Sequence, residues 1–177
     1  MMSITYEQYN QMPDDGNRYE IVDGVLELMT PSPSVRHQRI LRRISTAFEN
    51  NCQDNGEFYF APLDVIFAPD NVRQPDFIFV LKENLHIVTD HGIEGAPDIV
   101  GEILSPTTRK KDKTGKFETY RRFGVKEYWI IDPETDIMEQ FVLTKNGYLL
   151  QKVYQEHETV HSSLLDCISI SLADIFK

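Results

Sequence analysis

The sequence predicts a mixed α/β (α+β) domain built around a central α-β-β-β-α-β unit. Two segments carry helical signals, and the segments between and after them are short apolar runs bounded by proline, glycine and asparagine. With 177 residues, of which 41% are hydrophobic, the chain fits one domain over residues 1–177. We place the core at about residues 34–132, with extra antiparallel strands at both ends.

The N-terminal part predicts a hairpin and then a helix. Two apolar runs over residues 19–29 are joined at Asp23-Gly24, which is typical of a two-residue turn. The segment Thr30–Ser34 breaks the chain and caps a helix over residues 35–51. The apolar residues that recur at helical spacing in this segment are Ile40, Leu41, Ile44 and Phe48.

Extended segments and a second helix follow. The predicted strands of this part are Phe58–Phe60, Leu63–Phe67, Asp76–Val80 and Asp98–Leu104. Residues 82–96 predict a loop with a short helical turn. The second helix begins after Thr107 or Thr108, either of which can cap it, and ends at Phe123, before Gly124.

The C-terminal part is rich in strands. After a strand at Glu127–Asp132, the region 137–170 predicts antiparallel strands, and Leu172–Phe176 predicts a short final helix. The predicted strands of the region are Ile137–Leu143, Tyr148–Tyr154 and Leu164–Ile170.

Composition limits the cellular setting. The chain has no apolar run long enough to span a membrane, and Met1–Glu7 lacks the basic and apolar regions of a signal peptide. Cys52 and Cys167 lie far apart and form no metal-like pair, so we expect two reduced thiols. We therefore expect a cytoplasmic protein that does not enter membranes.

Charge is unevenly distributed along the chain. The formal net charge of −10 argues against casual binding of nucleic acid, because phosphate attraction needs positive surface. Residues 109–126, however, carry eight lysines or arginines against two acids. Such a basic stripe suits a confined phosphate site, although taken alone it is more typical of a solvated helix face.

Two carboxylates stand at the ends of neighbouring apolar runs. Asp76 opens the run that ends at Val80, and Glu102 lies near the end of the run that closes at Leu104. Two acids on adjacent strands can share one Mg²⁺ or Mn²⁺, with the Ile103 carbonyl and waters completing the coordination. Such an ion activates water and neutralises phosphate, so the pair predicts a metal-dependent phosphodiesterase.

These residues also carry a family resemblance. The chain resembles the PD-(D/E)xK nuclease superfamily and, more closely, the Uma-type group of restriction-endonuclease-like proteins. The matching stretches are Tyr19–Gly24, Ser34–Ile40, Gln74–Asp76, Gly95–Asp98, Glu102–Thr108 and Tyr120–Trp129. The resemblance implies a restriction-endonuclease-like core, Mg²⁺-dependent cleavage of DNA and a homodimer.

The sequence departs from the superfamily pattern at one position. A lysine is expected two places after the glutamate, and Leu104 stands there. The resemblance suggests that the lysine has moved to the following helix. Lys116 is our choice because Tyr120, four residues later, shares its face. Asp112, four residues earlier, can pair with Lys116 and compete with a catalytic role.

Two further residues are candidates with open alternatives. Glu20 is either a third carboxylate of the site or an ordinary exposed strand residue. His37 either contacts phosphate or acts as a base, or it is an ordinary surface or hydrogen-bonded residue.

Two rival functions remain beside the DNA nuclease. One is an inactive or regulatory binding protein on the same fold, which Leu104 and the net charge favour. The other is a phosphodiesterase for a small substrate, which suits an acidic body.

Overall fold

A computed structural model describes residues 3–29 and 33–177 as two six-stranded sheets, a small two-stranded sheet and a few helices. The predicted break at Thr30–Ser34 lies partly outside the described residues, as does the start of the N-terminal segment at residues 1–2. The helices are α1 (Tyr6–Asn10), α2 (Val35–Cys52), α3 (Arg109–Lys111), α4 (Phe117–Phe123) and α5 (Leu172–Phe176).

The larger sheet forms the core of the molecule. Its strands, in spatial order, are β12 (Gly147–Gln155), β11 (Ile137–Thr144), β10 (Glu127–Asp132), β9 (Ile99–Ile103), β6 (Phe77–Leu81) and β3 (Gly56–Phe60). Among the described strands of this larger sheet, β9 and β10 are the one parallel pair, and the other neighbours are antiparallel. Along the chain, α2, β3, β6, β9, the α3–α4 region and β10 give the predicted α-β-β-β-α-β order, so the fold class is confirmed.

The second sheet carries the N-terminal hairpin. Its strands, in spatial order, are β2 (Val25–Leu28), β1 (Tyr19–Val22), β5 (Asn71–Arg73), β4 (Val65–Ala68), β8 (Gly92–Glu94) and β7 (Val88–Thr89). The hairpin has the predicted turn, with positive φ at Asp23 and Gly24. The predicted strand Leu63–Phe67 overlaps β4 and therefore lies outside the core sheet. The predicted loop 82–96 contains a 3₁₀ helix, Lys82–Ile87, and also β7 and β8.

Alternation along β9 directs its side chains into two separate apolar layers. Ile99 and Ile103 pack with α2 and α5 on one face of the core sheet. Val100 and Leu104 pack with Tyr120 of α4 on the other face. Glu102 alternates with Ile103 and therefore lies on the α4 face.

The second helix is not regular. Between α3 and α4 lies a π-helical segment, Asp112–Lys116, which places both of its end residues in the protein interior. Helix α4 ends where predicted, with Gly124 in the left-handed conformation at φ 87°. Thr108 stands at the start of α3, but its side chain makes no capping hydrogen bond.

The predicted strand Leu164–Ile170 is largely wrong. Only Ile170–Ser171 is a strand (β14), and it pairs with Thr159–Val160 (β13). Residues 161–169 are not a strand. In this segment, the backbone N–H groups of Ser163 and Leu164 donate hydrogen bonds to the buried carboxylate of Glu127. An apolar sequence could not reveal this, because the acceptor comes from β10.

The prediction of two reduced cysteines is also wrong in this structure. Cys52, at the end of α2, forms a disulfide with Cys167, and their Cα atoms are 5.6 Å apart. The bridge joins positions 115 residues apart and ties the C-terminal segment to α2.

Candidate active site

Asp76 and Glu102 lie at the same end of the core sheet. In the antiparallel register of β6 and β9, Phe77 faces Gly101. Extending this register by one residue, to the residue before Phe77 and the residue after Gly101, places Asp76 opposite Glu102. The backbone N–H of Ile103 donates to Asp76 Oδ2 at 2.7 Å, which fixes the aspartate against β9.

Gly101 makes this approach possible. A Cβ atom at position 101 would lie 1.9 Å from Cζ of Phe77. The Phe77 ring therefore occupies the space above Gly101, and β6 and β9 can align only because residue 101 has no side chain.

Glu102 is held by two residues of the following helical region. Lys116 Nζ donates to Glu102 Oε2 at 2.8 Å, and the Tyr120 hydroxyl donates to Oε1 at 2.6 Å. The predicted lysine of the following helix thus reaches the predicted glutamate. Tyr120, which shares the Lys116 face as the sequence indicated, is also a partner of Glu102.

Lys116 is buried among several acids. Besides Glu102, its Nζ lies 3.4 Å from Asp112 Oδ1 and 3.8 Å from Glu20 Oε1. Burial alone would lower the pKa of Lys116, but these carboxylates outweigh it and raise the pKa. Lys116 is therefore a cation near neutral pH.

The pKa values of two of these acids are raised as well, which for an acid favours the uncharged form. Burial, with smaller contributions from Asp112 and Asp76, raises the pKa of Glu102 well above its usual range despite Lys116. Burial likewise raises the pKa of Asp112, whose Oδ1 has no hydrogen bond among the described residues. Both acids are therefore harder to ionise than ordinary carboxylic acids, and a bound cation would favour their ionised forms.

Glu20 is buried rather than exposed on its strand. It pairs with Arg73 (3.2 Å) and Lys111 (2.6 Å), and it accepts from the backbone N–H of Gln74 at 3.1 Å. Burial opposes ionisation, but Lys116, Arg73 and Lys111 together lower the pKa of Glu20 to about 2. The hairpin thus contributes a fixed negative charge beside Lys116.

His37 comes from the first turn of α2 and meets Asp76 across the end of the sheet. Its Nε2 lies 3.0 Å from Asp76 Oδ2, while its Nδ1 is buried and has no hydrogen-bond partner among the described residues. His37 is therefore a hydrogen-bonded residue that is 7% exposed, and its contact with phosphate or its role as a base stays a prediction.

A cleft of about 700 Å³ joins these groups, with Asp76, Glu102, Lys116, Asp112 and His37 among its lining residues. The described residues contain no group of three or more histidine, cysteine or acidic side chains arranged to hold a metal. Magnesium needs less than that, because it keeps several waters and binds through one or two carboxylates. Buried acids whose ionised forms a cation would favour, and an Asp112 Oδ1 that accepts no hydrogen bond among the described residues, fit such a cation.

The predicted basic stripe is largely neutralised within the protein. Its ion pairs are Arg109 with Asp132 and Glu134, Lys111 with Glu20 and Glu27, Lys113 with Glu139, Lys116 with Glu102, Arg121 with Glu118, Arg122 with Asp23, and Lys126 with Asp98. The stripe is therefore mainly a set of internal and surface ion pairs.

Sequence reasoning missed Arg73 and Lys111 as members of this cluster. Arg73 is 1% exposed and bridges Glu20 and the hydroxyl of Thr119. No periodic signal marks it, because its burial results from the pairing of β5 with β1.

The α-β-β-β-α-β core, with two acids and a lysine at one end of its sheet, defines the restriction-endonuclease-like class. The family model described as "Uma2: Putative restriction endonuclease" matches residues 6–173. The chain therefore belongs to the Uma2 family, which confirms the resemblance noted above.

One solved structure has the same overall fold, a crystal structure described as a "putative nuclease belonging to DUF820" from Anabaena variabilis. The TM-score is 0.77 at 19% sequence identity, covering 98% of this chain and 97% of that chain. At this identity the likeness shows the fold alone. Comparison with curated proteins gave no match. No helix in the described ranges is both long and apolar enough to cross a membrane.

Proposed function

We propose that this protein is a Mg²⁺-dependent (or Mn²⁺-dependent) endonuclease that hydrolyses phosphodiester bonds of DNA, with residues 1–177 acting as one domain. The observation that carries the proposal is the contact of Lys116 Nζ with Glu102 Oε2 at 2.8 Å, in the cleft that Asp76 also lines. Two acids and one lysine in a cleft are the minimal equipment for metal-assisted phosphodiester hydrolysis.

Asp76, Glu102 and the Ile103 carbonyl would hold the cation. A bound Mg²⁺ supplies positive charge to the phosphodiester oxygens and acidifies a water molecule. Asp76 already uses Oδ2 for the Ile103 N–H and for His37, so Oδ1 is the oxygen left to face an ion.

Lys116 would assist the nucleophile. A buried ammonium next to the cleft stabilises a hydroxide or the anionic transition state, because few waters screen its charge there. Glu20 keeps Lys116 charged and in place from the hairpin side. His37 orients Asp76, and its free Nδ1 is available to a proton or a phosphate oxygen.

DNA is the substrate that the family description favours, since the Uma2 model is described as "Putative restriction endonuclease". The net charge of −10 remains a cost for binding any long polyanion. Plasmid nicking, run beside hydrolysis of a small chromogenic phosphodiester, separates a DNA nuclease from a small-substrate enzyme. We expect nicking with Mg²⁺ or Mn²⁺, none with EDTA, and at least about 100-fold less with Glu102→Gln.

Isothermal titration calorimetry of metal binding tests the alternative of an inactive or regulatory binding protein. We expect heat on titration of wild type with Mg²⁺ or Mn²⁺ and a much weaker response from Asp76→Asn. If wild type gives no heat and nicks no plasmid, the inactive binding protein is the better description.

We also propose a homodimer, with β12 as part of the contact. This strand lies at the edge of the core sheet and exposes Leu149, Leu150 and Val153. An apolar edge strand offers both side chains and unpaired backbone groups to a second copy. Light scattering is the test, and a purely monomeric mass would end this proposal.

A further inference from the structure

We propose that the DNA backbone reaches the site over the N-terminal turns of α2, where Arg18 and Arg36 bind its phosphates, and not along the basic stripe of residues 109–126. This inference rests on the proposed function and adds the surface that binds the substrate.

The first argument is that the stripe has little free charge. Of its eight basic residues, Lys110 alone has no ion pair with the described residues. A phosphate there would have to displace an acid at nearly every basic residue, such as Asp23 from Arg122 at 2.9 Å. On the proposed surface, Arg36 has such an acid partner and Arg18 has none within the described ranges. DNA binding gains free energy when basic side chains neutralise phosphates and release their counterions, and the stripe has few uncompensated basic side chains to do so.

The second argument is that α2 is basic without matching acids. Residues 35–48 contain four arginines and no acid, and the buried side of the helix is apolar. Within the described ranges, Arg36 pairs with Asp136, and its side chain is still 51% exposed. Arg43 donates to the main-chain oxygens of Ile175 and Lys177. Arg18 forms no ion pair within residues 3–29 and 33–177 and lies at the mouth of the same cleft.

The third argument is continuity with the candidate active site. Arg18, Ser34, Arg36 and His37 line the cleft that also contains Asp76 and Lys116. The positive end of an 18-residue helix points there, which favours an anion. His37 Nδ1, buried in the first turn and without a partner in the described structure, is an independent sign of a missing polar ligand.

Together these features favour a phosphate that flanks the one to be cleaved. Arginine suits this role because its planar guanidinium can donate two hydrogen bonds to one phosphate. The carboxylates of Glu102 and Asp112 are buried, whereas Arg18 and Arg36 are exposed residues of the same cleft, so a polyanion meets positive charge first.

Binding can be measured without cleavage. We would titrate a short fluorescein-labelled DNA duplex with the full chain by fluorescence anisotropy, with Ca²⁺ in place of Mg²⁺, at several salt concentrations. The test variants are Arg18→Ala and Arg36→Ala. The matched controls, which remove one positive charge each from the stripe, are Lys110→Ala and Arg122→Ala.

We expect each test variant to weaken binding about tenfold and to reduce the slope of log affinity against log salt by about one. The controls should change affinity by less than about twofold, as a lost remote charge does. Asp136→Asn, which frees Arg36 from its acid partner, should leave binding equal or tighter. Thermal melting of every variant should match wild type, because these side chains are at the surface.

The inference would be overturned if Lys110→Ala and Arg122→Ala lowered the DNA affinity while Arg18→Ala and Arg36→Ala did not. It would also be overturned if the protein bound no DNA at any salt concentration. Binding that depends on Arg18 and Arg36 in a protein that cleaves nothing would retain this surface and reject the proposed catalysis. The two proposals therefore fail separately.

Discussion

Lys116 Nζ lies 2.8 Å from Glu102 Oε2, although the residue two places after Glu102 is Leu104. The position that would carry the lysine on β9 is instead part of the apolar layer with Tyr120 and Val100. The π-helical segment that ends at Lys116 brings the ammonium to the same carboxylate from the neighbouring layer. The departure from the motif thus moves the lysine along the chain and keeps its charge at the glutamate.

Replacing Lys116 by glutamine should lower DNA cleavage by at least about 100-fold, because the cation that pairs with Glu102 is lost. Lys113→Gln is the matched control, since Lys113 lies three residues earlier and pairs with Glu139. The readout is the initial rate of plasmid nicking under saturating metal. Because Lys116→Gln leaves buried acids unpaired, it should also cost about 3–5 kcal/mol of stability, so both variants are assayed below their melting points. Equal rates for both variants would remove Lys116 from the mechanism.

Glu20 should make the protein sensitive to acid. Its pKa is about 2 in the folded state against an ordinary 4.5, so its ionised form stabilises the fold above pH 4.5. That stability, about 3 kcal/mol from the size of the shift, is lost as the pH falls through 2. Urea unfolding of wild type and Glu20→Gln should therefore converge between pH 4.5 and 2. Glu27→Gln, which removes the exposed second partner of Lys111, should show no such convergence.

Much of the core followed from local patterns. The spacing of apolar residues predicted α2, and the apolar runs predicted β6, β9 and β10. The register of β6 with β9 brings Asp76 opposite Glu102, the pair of acids that the sequence indicated. Helical spacing also connected Lys116 with Tyr120, and both contact Glu102. These features depend on short-range sequence order, which is why the sequence could predict them.

The remainder depends on contacts between distant segments. Arg73 is buried because β5 pairs with β1 some 50 residues earlier, and its partner Glu20 is on that strand. The disulfide of Cys52 joins residues 115 apart, and the turn at Ser163 exists because Glu127 accepts its N–H. A strong apolar pattern at Leu164–Ile170 predicted a strand, but the buried carboxylate on β10 determined the local structure.

Gly101→Ala should separate β6 from β9 and disturb the site. Its Cβ would meet the Phe77 ring at 1.9 Å, so either the ring or the strand must move. Overpacking of this kind costs about 1–3 kcal/mol, and it should also misalign Asp76 with Glu102. Urea unfolding measures the stability, and metal calorimetry measures the alignment. Gly115→Ala is the control, because a Cβ there meets nothing closer than 3.9 Å.

Combining Gly101→Ala with Phe77→Leu should recover part of the loss, because the smaller side chain leaves room for the added methyl group. The recovery would appear as a non-additive double-mutant cycle between the two positions. Strict additivity would mean that the Phe77 contact does not explain the need for glycine.

The disulfide should make stability depend on redox conditions. Cross-linking Cys52 to Cys167 closes a long loop in the unfolded chain, and such a bridge contributes up to about 5 kcal/mol. Urea unfolding of the oxidised protein should therefore show a higher free energy than unfolding in dithiothreitol. The variant Cys52→Ala/Cys167→Ala should match the reduced protein and show no response to dithiothreitol.

Plasmid nicking should be equal in all three forms below their melting points, because Cys52 is at the far end of α2 from His37. A thiol assay that finds two free thiols in unreduced wild-type protein would contradict the disulfide. It would agree with the cytoplasmic location that we expect from the sequence.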